Sequence, residues 1–363
     1  MKVSIITMTC TYNYGATLQA YALQEFVESM GHSCDIIDHM GWYGHRTIHL
    51  KCNIDSFLKY PFKSKLEQGF KNFEDFYLQN MHMTTRYESI KALYNSPPDS
   101  DVFITGSDQV WNPRDLRGEF YLDFAPCQAK KVSYAASIGV PTIPEKKQSI
   151  IKEYLKNFDG ISVRETSGYN AISLLTNKKV NTNCDPVYLL NRDKWRAIEK
   201  KPIEINDEYI LCYMIYKPKW LNKWLREVRK KTDKKIVFIG LNGYRPVVCD
   251  YYVRNAGPRE FIWLIDHASA VVSSSFHGIA FSVLFGKPIV AMPDPPRPDR
   301  IHNLLDMFDL EDNILYENKT EDCFKEYAYS KIERVISEQQ NKSKKYFAEI
   351  FTLDYSRRSR ESG

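Results

Sequence analysis

The sequence has no paired cysteines and no long apolar run. Its 8 cysteines are scattered along 363 residues without a C-x-x-C pair, which argues against a disulfide framework and indicates buried, reduced thiols. No uninterrupted apolar stretch approaches the roughly 18–20 residues of a membrane span. Residues 1–7 also lack the charged and apolar regions of a secretion signal. We therefore expect the protein to stay in the cytoplasm.

A strong excess of one charge is also missing. The formal net charge of +5 suits small anions or anionic lipid headgroups, and no other feature of the sequence indicates nucleic-acid binding. With 43% hydrophobic and 26% charged residues, the composition is that of a folded globular protein. Hydrophobic cores tend to split beyond roughly 250–300 residues, so the length predicts two domains.

The chain opens with a strand–helix–strand unit. Residues 3–7 form a short apolar run, and residues 16–30 carry apolar side chains at helical spacing up to Gly31. A glycine suits the position after a helix, because it adopts the left-handed backbone conformation without steric cost. Residues 34–37 give a second strand. Such an opening predicts parallel pairing of the two strands.

The alternation of strands and helices continues along most of the chain. The exception is residues 40–100, which are rich in aromatics and lysine and which we interpret as an insertion beside the sheet, with a helix over 64–78. The further predicted strands are 101–105, 131–136, 160–163, 179–183, 209–215, 235–240, 269–273 and 288–292. The further predicted helices are 144–157, 165–175, 218–231, 258–267, 277–285 and a trailing one over 322–351.

Two alternating sets of similar size indicate an α/β fold with two Rossmann-like domains in a GT-B-like arrangement. In that arrangement the ligand lies in a central cleft, near the carboxyl ends of the strands. We place an N-terminal α/β domain at 1–186, because a boundary follows Asp185-Pro186. The C-terminal α/β domain then covers 187–340, and a C-terminal helix with a basic tail covers 341–363.

The strongest local signal is residues 271–278 (VVSSSFHG), followed by an amphipathic helix. The pattern predicts a buried strand, a polar turn and a helix N-terminus, where free N–H groups and a partial positive charge attract anions. Ser275 and Gly278 would let a phosphate approach the backbone closely. His277 lies at the same turn, where its ring could face the cleft. The alternative is a capped helix with a structural histidine.

Residues 275–278 and the following 281–288 (FSVLFGKP) resemble the most recognisable motif of the polysaccharide pyruvyl transferase family. Other segments resemble this family in the same order along the chain. They are 13–19 (NYGATLQ) with 21–23, 103–112 (FITGSDQVWN), 134–139, 161–165 (ISVRE), 185–187 (DPV) and 257–261. The resemblance runs from residue 3 to about residue 310 and leaves 40–100 and the C-terminus uncovered.

The resemblance implies that phosphoenolpyruvate is the donor substrate and that no other cofactor or metal is needed. Forming a ketal requires an acid to protonate the methylene carbon, a base for a sugar hydroxyl, and cations for the phosphate and carboxylate. With that chemistry, His277 becomes the leading acid/base candidate, and Arg164 the first anion-binding residue. Arg300 is a second phosphate candidate. The alternatives are an ion pair between Arg164 and Glu165, and a solvated loop charge at Arg300.

The N-terminal domain is expected to hold the acceptor sugar, and the C-terminal domain the donor. Asp and Asn side chains suit paired sugar hydroxyls, and Tyr14 or Trp111 could stack on a pyranose face. Asp108 is a hypothetical acceptor base because it follows a predicted strand. The alternative is ordinary turn chemistry, since Asn-x-Gly and Gly-Ser-Asp are common turn sequences. The candidate acceptor residues are Asn13, Tyr14, Gly15, Asp108 and Gln109.

The resemblance also implies a 4,6-linked ketal on a galactose-like sugar of a surface polysaccharide, carried on a soluble or lipid-linked oligosaccharide. If the acceptor is lipid-linked, the basic tail would make peripheral contact with the inner face of the membrane. The rival functions are a nucleotide-sugar glycosyltransferase and a non-catalytic glycan-binding relative. The cluster of His39, His45, His49 and Cys52 lacks the helix or strand context of a metal site, and we do not assign one.

Overall fold

The computed structural model describes residues 1–9, 11–39, 60–202, 205–240, 245–294, 299–317 and 324–352. His45, His49 and Cys52 of the histidine cluster lie outside these residues, as does the end of the basic tail from residue 353. His39 is described and is 7% exposed. Its Nδ1 lies 3.3 Å from the carbonyl oxygen of Ile37, so its ring is held by the local backbone.

The N-terminal half is built on a parallel sheet whose strands are largely buried. Its strands are β1 Lys2–Ile6, β2 Ser33–Ile36, β3 Val102–Thr105 and β4 Lys130–Ser133. Their order is β2-β1-β3-β4, with Val3 opposite both Cys34 and Val102. Every residue of β3 and β4 is buried, as expected where helices cover both faces of a parallel sheet. The predicted parallel opening is confirmed.

Two further strands form a short pair of their own beside β4. They are β5 Ile161–Val163 and β6 Val180–Thr182, which pair in parallel. Isolated bridges from Val132 to Gly160 and from Ala136 to Val163 connect this pair to the chain at β4. The segments that follow β3, β5 and β6 therefore leave the sheet at the same edge, because the carboxyl ends of parallel strands point the same way.

The second half contains its own parallel sheet, built from residues 209–291. Its strands are β7 Tyr209–Tyr213, β8 Lys235–Ile239, β9 Tyr251–Val253, β10 Ala270–Ser273 and β11 Ile289–Ala291. Their order is β11-β10-β7-β8-β9, and all pairs are parallel. Sequence patterns missed β9, because it has only three residues and two of them are half-buried.

Helices cover the two sheets and link their strands. They are α1 Tyr14–Ser29, α2 Tyr60–Asn80, α3 Ile90–Asn95, α4 Glu145–Leu155, α5 Thr166–Ser173, α6 Arg192–Arg196, α7 Leu221–Thr232, α8 Pro258–Asp266, α9 Phe276–Leu284, α10 Asp299–Met307 and α11 Tyr329–Thr352. Within the described part of the chain, none of them is both long enough and apolar enough to cross a membrane.

Helix α1 joins the cores of the two halves. It is buried along most of its length and contacts α8 and α9 of the second half. The ring of Tyr14 stacks on Phe261 with a centroid distance of 4.4 Å, and its hydroxyl donates to the carbonyl of Ala256 at 2.9 Å. Aromatic pairs of this kind contribute roughly 0.5–1.5 kcal/mol beyond the area they bury. The apolar core is therefore continuous between the halves.

Helix α11 returns from the second half to the first sheet. The hydroxyl of Tyr346 donates to the carbonyl of Ser133 at 2.7 Å, and Lys130 Nζ donates to the carbonyl of Ile350 at 2.9 Å. The helix begins at Tyr329, within the range that the sequence predicted for it. The division of the chain at residues 186 and 340 stays a prediction.

Candidate active site

A polar turn places the first residues of α9 at the end of β10. Ser273 Oγ donates to the carbonyl of Tyr213 at 2.7 Å and accepts from the Ser275 N–H at 3.0 Å. Ser275 has an extended backbone, and its Oγ accepts from the Gly278 N–H at 3.4 Å, which makes it the helix cap. The predicted strand, turn and helix N-terminus are confirmed. Such an end carries a partial positive charge and suits an anion.

A cavity of about 270 Å³ opens at this turn, between the two halves. Its walls come from the carboxyl edges of both sheets, where α/β folds of this kind hold ligands. The lining residues are Asn13, Asp108, Gln109, Ile215, Ser274, Ser275, Phe276, His277, Asp294, Arg300 and Ile301. Six of the predicted site residues are therefore brought together here. Tyr14, Gly15, Arg164 and Gly278 do not line this cavity.

The ring of His277 lies in a narrow space between the halves. Its side chain is 7% exposed, and Nε2 lies 3.4 Å from Asp185 Oδ2. On its other side the ring presses on Gly15, where a Cβ atom would lie 2.0 Å from Nδ1. Only glycine at position 15 leaves room for the ring. The structure thus places Gly15 against the histidine, whereas the sequence assigned it to the acceptor.

Asp185 is the centre of a buried polar network. Its carboxylate accepts from Arg164 Nη1 at 2.7 Å, from the Val187 N–H at 3.1 Å and from Ser107 Oγ at 3.3 Å. Burial alone would raise the pKa of Asp185, but the ring of His277, the cation of Arg164 and the Val187 N–H together lower it well below its ordinary value. The group is therefore a fixed anion beside the histidine.

Arg164 belongs to this network and lies behind the cavity. Its Nε donates to Glu165 Oε1 at 3.0 Å and its Nη1 to Asp185, while its side chain is 3% exposed. Burial would lower the pKa of Arg164, but Glu165 and Asp185 raise it well above its ordinary value. The structure therefore shows the ion pair that the sequence left as the alternative. Binding of the donor by Arg164 stays a prediction.

The alternative reading of Arg300 was a solvated loop charge, but Arg300 lies in the first turn of α10 and lines the cavity. Its side chain is 18% exposed, and Nε is 3.8 Å from Glu165 Oε1. Among the described residues, that Nε has no hydrogen-bond partner. Burial and the nearby Arg164 cation lower the pKa of Arg300, and carboxylates such as Asp108 only partly offset this. It is a cation without a full counterion.

The opposite wall of the cavity consists of polar loops from the first half. Asn13 caps α1, with Oδ1 accepting from the N–H groups of Gly15 at 3.0 Å and Ala16 at 3.3 Å. Asp108 has a φ of 75°, a left-handed conformation that is uncommon outside glycine but tolerated by aspartate. Its Oδ1 accepts from the Gln109 N–H at 2.8 Å. These residues therefore stabilise the local backbone and also line the cavity.

The comparisons with known proteins agree with this arrangement. A family model described as polysaccharide pyruvyl transferase matches residues 13–293, which is more than half of the chain. The chain belongs to the polysaccharide pyruvyl transferase family. The match includes both polar loops of the first half that line the cavity and the turn at His277, while Arg300 lies just beyond it. No curated protein sequence matches.

Solved structures resemble the chain over nearly its whole length. The UDP-GlcNAc 2-epimerase from Neisseria meningitidis bound to UDP-GlcNAc is 12% identical, with a TM-score of 0.50 over 98% of this chain and 95% of that chain. The glycosyltransferase SnogD from Streptomyces nogalater is also 12% identical, with a TM-score of 0.46 over 96% of this chain and 99% of that chain. With the two parallel sheets, the first likeness confirms the α/β fold of two Rossmann-like domains in a GT-B-like arrangement.

Two aromatic residues of this pyruvyl transferase family member do not lie where the sequence placed them. Tyr14 is fully buried in the core. Trp111 is buried as well, stacked on Tyr121 at 5.2 Å, with its Nε1 donating to the carbonyl of Phe120 at 3.0 Å. Neither ring is free to stack on a sugar, so that expectation is corrected. Both were misjudged because a polar loop sequence does not show which of its side chains pack inward.

Sequence reasoning gave no role to several residues at the site. Asp185 and Glu165 lie in segments that resemble the family, each just after a strand, and that position was the available signal. Asp294 and Phe276 line the cavity. Ser274 Oγ accepts from the N–H groups of Ile215 and Tyr216, both at 2.8 Å, and so shapes the cavity wall. This last role depends on a contact between β7 and β10 that no local pattern reveals.

One group of side chains elsewhere resembles a metal site. The ligand atoms of Glu199, Asp266 and His267 lie within 4.8 Å of one another. However, Arg196 already donates to both oxygens of Asp266, at 2.6 and 3.0 Å. A cation that fills both oxygens competes with a metal, so we assign no metal to this group.

Proposed function

We propose that the protein transfers an enolpyruvyl group from phosphoenolpyruvate to two hydroxyls of one sugar in a surface-polysaccharide intermediate. The product would be a pyruvate ketal, and phosphate would be released. The observation that carries this proposal is the division of one cavity into a cationic wall and a wall of hydroxyl-binding groups. Membership of the pyruvyl transferase family supports the same reaction.

The cationic wall would hold phosphoenolpyruvate. Arg300 and the first turn of α9, with its cap Ser275, line the same cavity. The lowered pKa of Arg300 reflects a cation that burial and Arg164 destabilise, and a bound anion would relieve that cost. A guanidinium fork fits either the phosphate or the carboxylate of the donor, and the helix N-terminus fits the other.

The opposite wall would hold the sugar. Asn13, Asp108 and Gln109 present amide and carboxylate groups to the cavity, and such groups bind paired hydroxyls. Asp108 Oδ1 accepts from a backbone N–H, which leaves Oδ2 as the oxygen for an acceptor hydroxyl. We propose it as the base. If Asp108→Asn turns over at the wild-type rate, Asp108 is not that base.

The chemistry follows from these positions. His277 would donate a proton to the methylene carbon of the donor, so that the adjacent carbon becomes cationic. One sugar hydroxyl bonds to that carbon, and a second hydroxyl then replaces the phosphate. One of the two hydroxyl protons restores His277. Asp108 takes the other and passes it to the departing phosphate, so atoms and charges balance. General acid–base catalysis of this kind contributes roughly 10²–10⁴-fold.

The test begins with calorimetric titration of phosphoenolpyruvate into the wild type, Arg300→Ala and a control. Arg229→Ala is the control because Arg229 is 47% exposed, pairs with Asp250 and does not line the cavity. We expect saturable binding to the wild type and the control. Arg300→Ala should bind about 10–100-fold more weakly, since hydrogen bonds to charged groups contribute roughly 1.5–3 kcal/mol. Phosphate release with candidate sugars then tests turnover.

Two other outcomes would contradict the proposal, and each would favour a different function. If phosphoenolpyruvate fails to bind even with sugar present, while a nucleotide sugar binds, the protein is a glycosyltransferase. If sugar binds but neither donor is consumed, and His277→Ala leaves sugar binding intact, the protein is a non-catalytic relative.

A further inference from the structure

His277 is carried by one half of the molecule and held by the other. Its helix α9 follows β10 of the second sheet, but the contacts on both sides of its ring come from the first half. Asp185, which follows β6, lies beside Nε2. Gly15, in the first turn of α1, lies beside Nδ1. The position of the ring is therefore decided across the boundary between the halves.

Asp185 cannot turn away from the ring. Its three donors, Arg164 Nη1, the Val187 N–H and Ser107 Oγ, hold the carboxylate at distances of 2.7 to 3.3 Å, and its side chain is 1% exposed. Nε2 of His277 lies 3.4 Å from the carboxylate and, among the described residues, makes no hydrogen bond. Contacts of this kind commonly tighten when the substrate binds.

A fixed carboxylate beside one ring nitrogen decides the state of a histidine. In the neutral ring it keeps the proton on the nitrogen that it faces, and it stabilises the doubly protonated ring. The other nitrogen then exchanges a proton with the ligand. Here the carboxylate faces Nε2, so Nδ1 is the exchanging atom. The other charged groups around the site are Arg164 with its partner Glu165 in the buried network, and Asp108, Asp294 and Arg300, which line the cavity.

We propose that Asp185 and Gly15 are positioning residues for His277. Asp185 holds the N–H at Nε2, and the missing side chain of Gly15 gives the ring the space it occupies, with Nδ1 as the proton-exchanging atom. The part concerning proton exchange with the donor rests on the proposed function. The part concerning the tautomer does not, so the two can be tested separately.

The tautomer can be read by nitrogen NMR of protein labelled with ¹⁵N-histidine, with His277→Ala assigning the signals. We expect neutral His277 in the wild type to carry its proton on Nε2. In Asp185→Asn this preference should be lost, because the negative charge beside Nε2 is gone. Asp266→Asn is the control, since it removes another buried carboxylate that is paired with an arginine.

Kinetics give the second measurement. In Asp185→Asn we expect kcat for phosphate release to fall on the order of 10–100-fold, within the range of general acid–base effects. The affinity for phosphoenolpyruvate should change by less than about 3-fold. A role limited to folding would lower the thermal stability but would not change the tautomer of His277.

The same Nε2 tautomer in Asp185→Asn as in the wild type would overturn the proposal. If that variant does not fold, Gly15→Ala tests the contact on the other side of the His277 ring, because the added methyl group would displace the ring. Unchanged ring signals and unchanged kcat in Gly15→Ala would then overturn it. A wild type that releases no phosphate but shows the expected tautomer shift would contradict the proposed function and leave the positioning role intact.

Discussion

Arg164 and Arg300 lie on the same aromatic ring but in opposite electrostatic situations. Their guanidinium carbons are 4.2 and 5.2 Å from the centroid of Phe276. Despite its burial, Arg164 has a raised pKa because Glu165 and Asp185 neutralise it. Arg300 has a lowered pKa because burial and Arg164 oppose its charge. The difference teaches that a cation neutralised by two carboxylates belongs to the buried network, whereas a cation without a full counterion in a cavity is available for a ligand.

The largest effect is expected when His277 is removed while the buried network around Arg164 stays in place. His277→Ala should lower kcat for phosphate release by about 10²–10⁴-fold, because the proton donor is lost. The thermal midpoint should change little, since Asp185 keeps three hydrogen-bond donors. Steady-state kinetics and thermal unfolding measure the two quantities. A variant that loses stability but keeps its kcat would show that His277 has only a structural role.

The second effect concerns the two arginines directly. Arg164→Ala should lower the free energy of unfolding by about 3–5 kcal/mol, because it leaves Glu165 and Asp185 buried without their cation. Arg300→Ala should cost much less, because no comparable group loses its partner. Denaturant unfolding of both variants measures the difference. Equal losses in the free energy of unfolding would mean that the two arginines have the same role in the fold, and would contradict the difference inferred between them.

The third effect is the acid sensitivity of the closed network. The folded-state pKa of Asp185 is lowered from its ordinary value of 3.8. Its contribution to stability is therefore fully present above about pH 4 and is lost as the pH falls through the lower, folded pKa. Thermal midpoints of the wild type and Asp185→Asn should differ most near neutral pH and converge in strong acid. A difference that does not shrink with acid would contradict the charged network.

The smallest effect concerns the aromatic ring between the arginines. Phe276→Leu keeps an apolar side chain but removes the interaction with Arg300, which is worth roughly 0.5–1 kcal/mol at partly exposed sites. Affinity for phosphoenolpyruvate should fall about 2- to 5-fold by calorimetry. Ile301→Val, at another lining position, is a control that keeps the apolar contact. An equal loss in both variants would indicate a change in packing instead of the loss of a cation–π contact.

Local patterns predicted the elements well because their signals lie within a few residues. The start of α9 was predicted to within one residue because the capping hydroxyl of Ser275 and the N–H that bonds to it are three positions apart. The strands at β1 and β10 were predicted because each is a short, fully apolar or nearly apolar run. Helix α10 was missed because the proline-rich stretch at 293–298 resembles a loop that continues.

The roles of single side chains could be predicted only in part. His277 was expected at the cleft because its turn has a recognisable pattern, and the structure places it there. The sequence could not show which of the two arginines is neutralised, because this depends on Glu165 and Asp185. Asp185 lies 21 residues from Arg164. Tyr14 was taken for a surface ring because its partner Phe261 belongs to the other half of the chain.

By itself, the sequence determined the alternation of strands and helices, the polar turn before α9, and the resemblance to one family of transferases. These follow from side-chain periodicity and from capping groups that act over three or four residues. Only the tertiary structure decided which cation is neutralised, which aromatic rings are buried, and which glycine makes room for the histidine. Those properties arise where segments far apart in the chain meet, and the free energy of a buried charge depends on every group around it.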